Sequence, residues 1–165
     1  MSAMPAPLNP ISVEPETAAD GAEVLALVDA AFGPGRLAKT AERLREASSA
    51  ACGFVVREGG RVIASVRLWR IDVGATPALF LGPIAVEAQA RKAGLGTALI
   101  EAALQCAVGE GAGGVLLVGD LPYFQRFGFD AISGVALPGP VDPRRVLWRP
   151  LGVAAPVGAV MGVRD

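Results

Sequence analysis

Histidine is absent from this chain of 165 residues. Its absence excludes Ser-His-Asp and Cys-His catalysis, HExxH zinc chemistry and imidazole proton shuttles. Any proton transfer falls to carboxylate, tyrosine, lysine, cysteine or water. Cysteine is scarce as well. Cys52 and Cys106 lie too far apart for a CxxC redox or zinc motif, and two thiols make no disulfide framework. Both read as small buried hydrophobes, and a reducing cytoplasm is the expected compartment. There is one tyrosine, Tyr123, and there are two lysines against thirteen arginines spread along the chain. Neither charge sign dominates. The formal net charge of −1 argues against a general attraction to nucleic acid or anionic membrane. Long apolar runs are missing too: the stretches 73–86 and 151–163 are shorter than a membrane span and are interrupted by Pro or Gly. The opening MSAMPAPLNP has neither a basic nor an apolar signal region, so residues 1–10 are expected to be a loose leader.

What the chain does have is apolar bulk. Hydrophobic residues make up 52% of it, enough at this length for one domain over 1–165 with a substantial core. A short apolar alternation at 11–13 precedes a helix capped by Thr17 or Asp20. Its stripe is Val24, Leu25, Leu27, Val28, Ala31 and Phe32, and it stops at Gly33-Pro34-Gly35. A second helix over 37–47 is expected to carry Arg43, Arg45 and Glu46 outward as a solvated face. The period then changes to that of strands. Phe54 to Val56 and Val62 to Ile71 flank Gly59-Gly60 as a hairpin. The run ALFLGPIAV, 78–86, reads as a central strand covered on both faces, with a bulge or splay expected at Gly82-Pro83. An amphipathic helix over 94–108, a strand over 114–118, a short helix over 123–127 and two short strands near 146–151 and 158–163 complete the reading.

Strand, short loop and helix at 81–104 form the most informative element. Glycines at 94 and 96 allow close backbone approach at a helix start, where N–H groups are unpaired and the helix dipole is positive. Such a cradle suits phosphate, and Arg91 and Lys92 add charge. R-x-x-G-x-G alone also describes an ordinary glycine-containing helix entry. Neither a Rossmann nor a Walker fingerprint is complete, because Leu99 stands where the third glycine would be and GK[ST] is missing.

The order of elements, with LGPIAV…RKAGLG at 81–96 and GDLPYFQRFGF at 119–129, resembles the GNAT superfamily of N-acetyltransferases. The resemblance runs from about Ile11 to Phe129. It implies an α/β fold with a mixed, largely antiparallel sheet of six to seven strands, splayed at its centre and flanked by about four helices. It also implies acetyl-CoA as cosubstrate, with no metal. The pyrophosphate would lie on Arg91, Lys92, Ala93, Gly94, Leu95, Gly96 and Thr97, and pantetheine would pair with Ile84, Ala85 and Val86 in the splay, near Phe124. The reaction implied is direct attack of a small-molecule or protein amine on the thioester in a ternary complex. A non-catalytic acyl-CoA-binding module is the alternative.

With no histidine available, Glu87 is the first candidate base, acting directly or through water, ahead of Asp120 and Asp72. The family's usual acid is a tyrosine four residues before the glycine of the Gly-Phe ending. Here that position is Phe124, and Tyr123 precedes it, about 100° away on a helix. Three readings follow: Tyr123 substitutes through altered local geometry, water protonates the thiolate, or transfer is lost. Trp69, Phe80 and Phe127 read as core. Arg67 and Arg70 flank Trp69 on a strand and suit either an acidic acceptor or a plain exposed face. The apolar segment 153–163 is able to pair across a homodimer.

Overall fold

The computed structural model describes residues 11–165, apart from the side chains of 91–93. The leader expected over 1–10 lies outside the described residues. Strand β1 (Val13–Pro15) is followed by a 3-10 turn and helix α1 (Gly21–Phe32), then by helix α2 (Thr40–Glu46). Strands β2 (Ala50–Glu58), β3 (Arg61–Val73) and β4 (Thr76–Val86) form an antiparallel meander. Helix α3 (Leu95–Gly109), strand β5 (Gly114–Val118) and helix α4 (Leu121–Phe124) come next. The short strands β6 (Asp130–Ala131), β7 (Val135–Ala136), β8 (Val146–Pro150) and β9 (Gly158–Gly162) close the chain.

The main path of the sheet is β1-β2-β3-β4-β5-β8-β6, with β9 added on β3 and β7 on β9. Pairing is antiparallel except between β4 and β5 and between β7 and β9. This is the mixed, largely antiparallel sheet that the sequence implies. It has nine strands rather than six or seven because β6 and β7, two residues each, add to it.

The buried face of α3 (Leu95, Leu99, Ala103, Ala107) packs with Val66, Leu68, Leu79, Val115 and Phe129 in the largest core cluster. Small residues on α3 let the helix sit close to the sheet. The stripe of α1 is wider than the core requires. Val24 and Val28 are buried, while Leu25 and Phe32 remain half exposed. That surplus forms walls of the clefts described below.

Two expectations are corrected. Cys52 and Cys106 are joined in a disulfide that ties β2 to α3, because strand and helix pack with these positions facing. They are therefore not separate thiols. On α2, Arg43 and Glu46 face outward as expected, but Arg45 is turned in, its side chain 11% exposed. It follows Leu44, which is buried, around the helix toward the sheet. No helix among the described residues is long and apolar enough to cross a membrane.

Candidate active site

The site begins where two neighbouring strands part. β4 and β5 pair only at Leu79↔Val115 and Phe80↔Leu116. Beyond that point β5 stays bound to β8 through Leu117 and Val118, while β4 stays with β3 through Ile84, Ala85 and Val86. The cause is local. Between the pairs Val66↔Ile84 and Leu68↔Leu81, β4 inserts Gly82 and Pro83 opposite the single residue Arg67. Such a bulge bends its strand away from the neighbour. Gly82 has φ +130°, a conformation that side-chain-bearing residues rarely adopt, and its peptide bond to Pro83 is cis.

The parting leaves one edge of β4 without a strand partner. Glu87 donates its N–H to Ile63 O at 2.8 Å, so position 87 faces β3. By the alternation of an antiparallel ladder, Ala85 faces β3 as well, and the backbone groups of Ile84 and Val86 face the gap. Of the three strand residues expected to meet a ligand, Ile84 and Val86 are so placed. Ala85 is buried.

Across the gap stands the start of α3. A 3-10 turn over Ala88–Ala93 leads to Gly94, in the left-handed region at φ 71°, ψ 21°, and the helix runs from Leu95. Ala98 donates to Gly94 O, so Leu95, Gly96 and Thr97 carry first-turn N–H groups that have no partner within the helix. The main chain from 94 to 97 therefore presents unpaired N–H groups at the positive end of the helix, an arrangement that favours an anion. The side chains of Arg91, Lys92 and Ala93, expected in the same cradle, lie outside those described.

Tyr123 completes this cleft. Its hydroxyl lies 2.8 Å from the position that a Cβ on Gly96 would occupy. A cavity of about 350 Å³ is lined by Ala31, Phe32, Ile84, Val86, Gly96 and Tyr123. Phe124, expected at the cofactor, does not line this cavity, although its ring meets that of Tyr123 edge-on at 4.9 Å. Its ring packs on Phe129, centroids 5.8 Å apart, and its Cε2 is 2.6 Å from where a Cβ on Gly119 would stand. α4 begins two residues earlier than expected, at Leu121, with Asp120 O receiving the N–H of both Tyr123 and Phe124. The phenol thus lines the cleft, and the half-buried phenyl group packs against the edge of the core. Arg126 stacks over the Tyr123 ring at 4.4 Å.

The carboxylates expected as bases do not line this cavity. Glu87 is held by Arg61 at the hairpin end of the sheet. Asp120 is exposed at the start of α4, and Asp72 lies on β3 where it pairs with Pro77 and Met161. Among the described residues no group of three or more acidic or cysteine side chains is arranged to hold a metal ion.

A second cavity, about 340 Å³, is also lined by residues of β4 and α1. Pro83 and Val28 line it, next to Ile84 and Ala31 of the first. Trp69, expected in the core, is half buried and forms part of its wall, with the indole N–H donating to Gly82 O at 2.6 Å. Phe80 is core, as expected. Arg67 is held by Glu16 through two hydrogen bonds of 2.9 and 2.7 Å. Arg70 pairs with Glu110 and Asp165 outside this cavity. Sequence reasoning missed Arg45, which also lines the cavity.

This geometry can be set beside known proteins. The chain matches the family model "Acetyltransferase (GNAT) family" over residues 22–129. It is similar to the structure of the GNAT family N-acetyltransferase YhbS from Escherichia coli in complex with CoA, with 23% identity, a TM-score of 0.80 and coverage of 98% of this chain and 94% of that one. A GNAT family acetyltransferase from Brucella melitensis in complex with acetyl-CoA is 26% identical, with a TM-score of 0.72 and coverage of 92% and 94%. An acetyltransferase of the GNAT family from Staphylococcus aureus Mu50 has 13% identity and a TM-score of 0.63, with coverage of 86% and 99%. No curated protein matches the chain significantly. The family match covers well over half of the chain and includes the parted strands, the glycine cradle and the Tyr123 helix, so the chain belongs to the GNAT family of acetyltransferases.

Proposed function

We propose that residues 11–165 act as one acetyltransferase domain that moves an acetyl group from acetyl-CoA to a primary amine by direct attack in a ternary complex. The observation that carries this reading is the cleft formed by the free edge of β4 at Ile84 and Val86, the cradle at 94–97 and the hydroxyl of Tyr123. The residues fit the cosubstrate on their own geometry. Gly96 has no side chain to block the approach, and both N–H donors and a strand edge face the gap. Arg91 and Lys92, adjacent in sequence, supply cationic charge for the pyrophosphate. Crystal complexes of the Escherichia coli and Brucella melitensis proteins with CoA and acetyl-CoA support the choice of ligand.

Acetyl-CoA supplies a thioester carbonyl with a thiolate leaving group. The Val86 N–H, turned into the gap, donates to the carbonyl oxygen as negative charge develops there. The nitrogen lone pair of the neutral amine forms the new C–N bond as the C–S bond breaks. The Tyr123 hydroxyl gives its proton to the departing sulfur and regains one from solvent. The ammonium form of the acceptor loses its protons to water, and Glu87, tied to Arg61, takes part only through water. Tyr123 thus does the work of the family tyrosine from a helix that starts early, with Phe124 left to the core.

Release of free thiol from acetyl-CoA in the presence of a broad panel of amines tests this reading. Amine-dependent release supports it. CoA binding without turnover of any amine would assign the chain to the alternative, a non-catalytic acyl-CoA-binding module.

A further inference from the structure

The second cavity is lined by a guanidinium that uses only one of its nitrogens within the protein, among the described residues. Arg45 Nη2 donates to Glu42 Oε2 at 2.9 Å, and the same oxygen lies 3.2 Å from Arg36 Nη1. One carboxylate therefore serves two guanidinium groups. Arg36 makes up the difference with Asp29, through Nε at 3.0 Å and Nη2 at 2.7 Å. Among the described residues Arg45 has no second acidic partner. Its Nη1 stands instead by the β4 bulge, 3.8 Å from where a Cβ on Gly82 would point. Burial holds this guanidinium below the usual arginine range. A guanidinium carries five N–H donors in a fixed fork, and those of Arg45 outside its bond to Glu42 are open to an acceptor in the cavity.

The other cations of the cavity are committed to carboxylates. Arg67, the arginine of the bulge, is neutralised by Glu16. Glu42 and Asp29 together balance Arg36 and Arg45, and Glu46, which also lines the cavity, is exposed. The cavity thus presents, beside Gly82 and Pro83, the Nη1 of Arg45 as a hydrogen-bond donor without a partner among the described residues. Two to four residues of β4 separate Gly82 from Ile84 and Val86, about 7–13 Å at strand rise. A ligand whose anion sits at Arg45 places an atom several bonds away at the thioester site.

Resting on the acetyl-transfer reading above, we propose that the acceptor is a primary amine carrying a compact oxyanion, carboxylate or phosphate, several bonds from its nitrogen, and that Arg45 binds that oxyanion in a planar, two-point contact. Neutral amines lack this anchor. Amines with the anion on the adjacent carbon do not span the two positions.

Matched acceptors test the proposal: pentylamine, 5-aminopentanoate and an aminoalkyl phosphate of the same length, each assayed for thiol release from acetyl-CoA with wild type, Arg45→Gln and Arg45→Lys. The expected result is a preference for the anionic amines of at least about 10-fold in kcat/KM, the worth of one such anchor. That ratio should fall toward one in Arg45→Gln and be partly restored in Arg45→Lys. The carboxylate and phosphate arms show which oxyanion fits better. CoA affinity measured on each variant reports that the fold is intact. Equal use of pentylamine and 5-aminopentanoate would overturn the proposal and leave acetyl transfer standing. Failure of wild type to bind CoA would overturn acetyl transfer. In that case Trp69 emission still decides the present inference: 5-aminopentanoate should alter it in wild type and not in Arg45→Gln, since Trp148 is sealed in the core. No response in wild type would contradict anion binding at Arg45.

Discussion

The hydroxyl of Tyr123 occupies the space that a side chain on Gly96 would need, 2.8 Å from the missing Cβ. Helix α3 and the short helix α4 are thereby coupled through the cleft between them. A glycine that is unremarkable in a helix pattern makes room both for a ligand and for the only phenol in the chain.

Gly96→Ala is expected to fold, because the atom it meets is the far end of a movable side chain. It pushes Tyr123 aside and narrows the cradle. CoA affinity should fall about 10-fold, equivalent to roughly 1.4 kcal/mol. Calorimetric titration of wild type and variant with CoA checks this, and equal affinities would remove the cradle from the account.

Tyr123→Phe should lower kcat by about 10-fold, less than many general acids contribute, because a thiolate leaves without strong assistance. The KM for acetyl-CoA should change less than kcat. Adding Phe124→Tyr should not restore the rate, because position 124 points at Phe129 and Gly119. Phe124→Ala should instead destabilise the fold by about 2–4 kcal/mol, measured by urea unfolding.

Glu87→Gln removes the partner of Arg61 at the sheet end. A base acting only through water contributes less than one in contact with the amine, so the expected loss in kcat/KM is about 3–10-fold rather than the 100-fold or more of a direct base. Steady-state rates across a range of pH separate the two outcomes.

Acid should weaken the fold through Asp20. The Thr17 N–H and then the Arg57 guanidinium hold its carboxyl below the usual carboxylate range. Because the folded-state value is depressed, the stabilisation is present above the unfolded value, about 3.9. It is lost as pH falls through the folded value. Urea unfolding of wild type and Asp20→Asn should differ at pH 6, and the difference should shrink from about pH 4 downward and vanish only below the depressed folded-state value. A constant difference across that range would show that the pairing does not drive the acid response.

Much of this was legible in the sequence. The break at Gly82-Pro83 could be read because proline gives no ladder N–H, and the cradle because two glycines precede an apolar helical stripe. The direction of Tyr123 could not be read, since it depends on α4 starting at Leu121, which shifts every side chain around a helix only one turn long. Arg45 was hidden for a different reason. A seven-residue helix has too few positions to define its buried face, and Arg45 is turned inward by its local bond to Glu42 and its approach to the β4 bulge. The Cys52–Cys106 bond depends on how α3 lies across β2, which spacing in sequence does not encode.

The central claim is that the free edge of β4 and the start of α3 together form the CoA site. Amide chemical shifts recorded during titration with CoA test it most directly. The account predicts that the amides of Ile84, Val86, Gly96 and Thr97 move together and saturably, while the hairpin turn at Gly59-Gly60 does not respond. Saturable binding that leaves those four amides unmoved, or no binding at all, would contradict it.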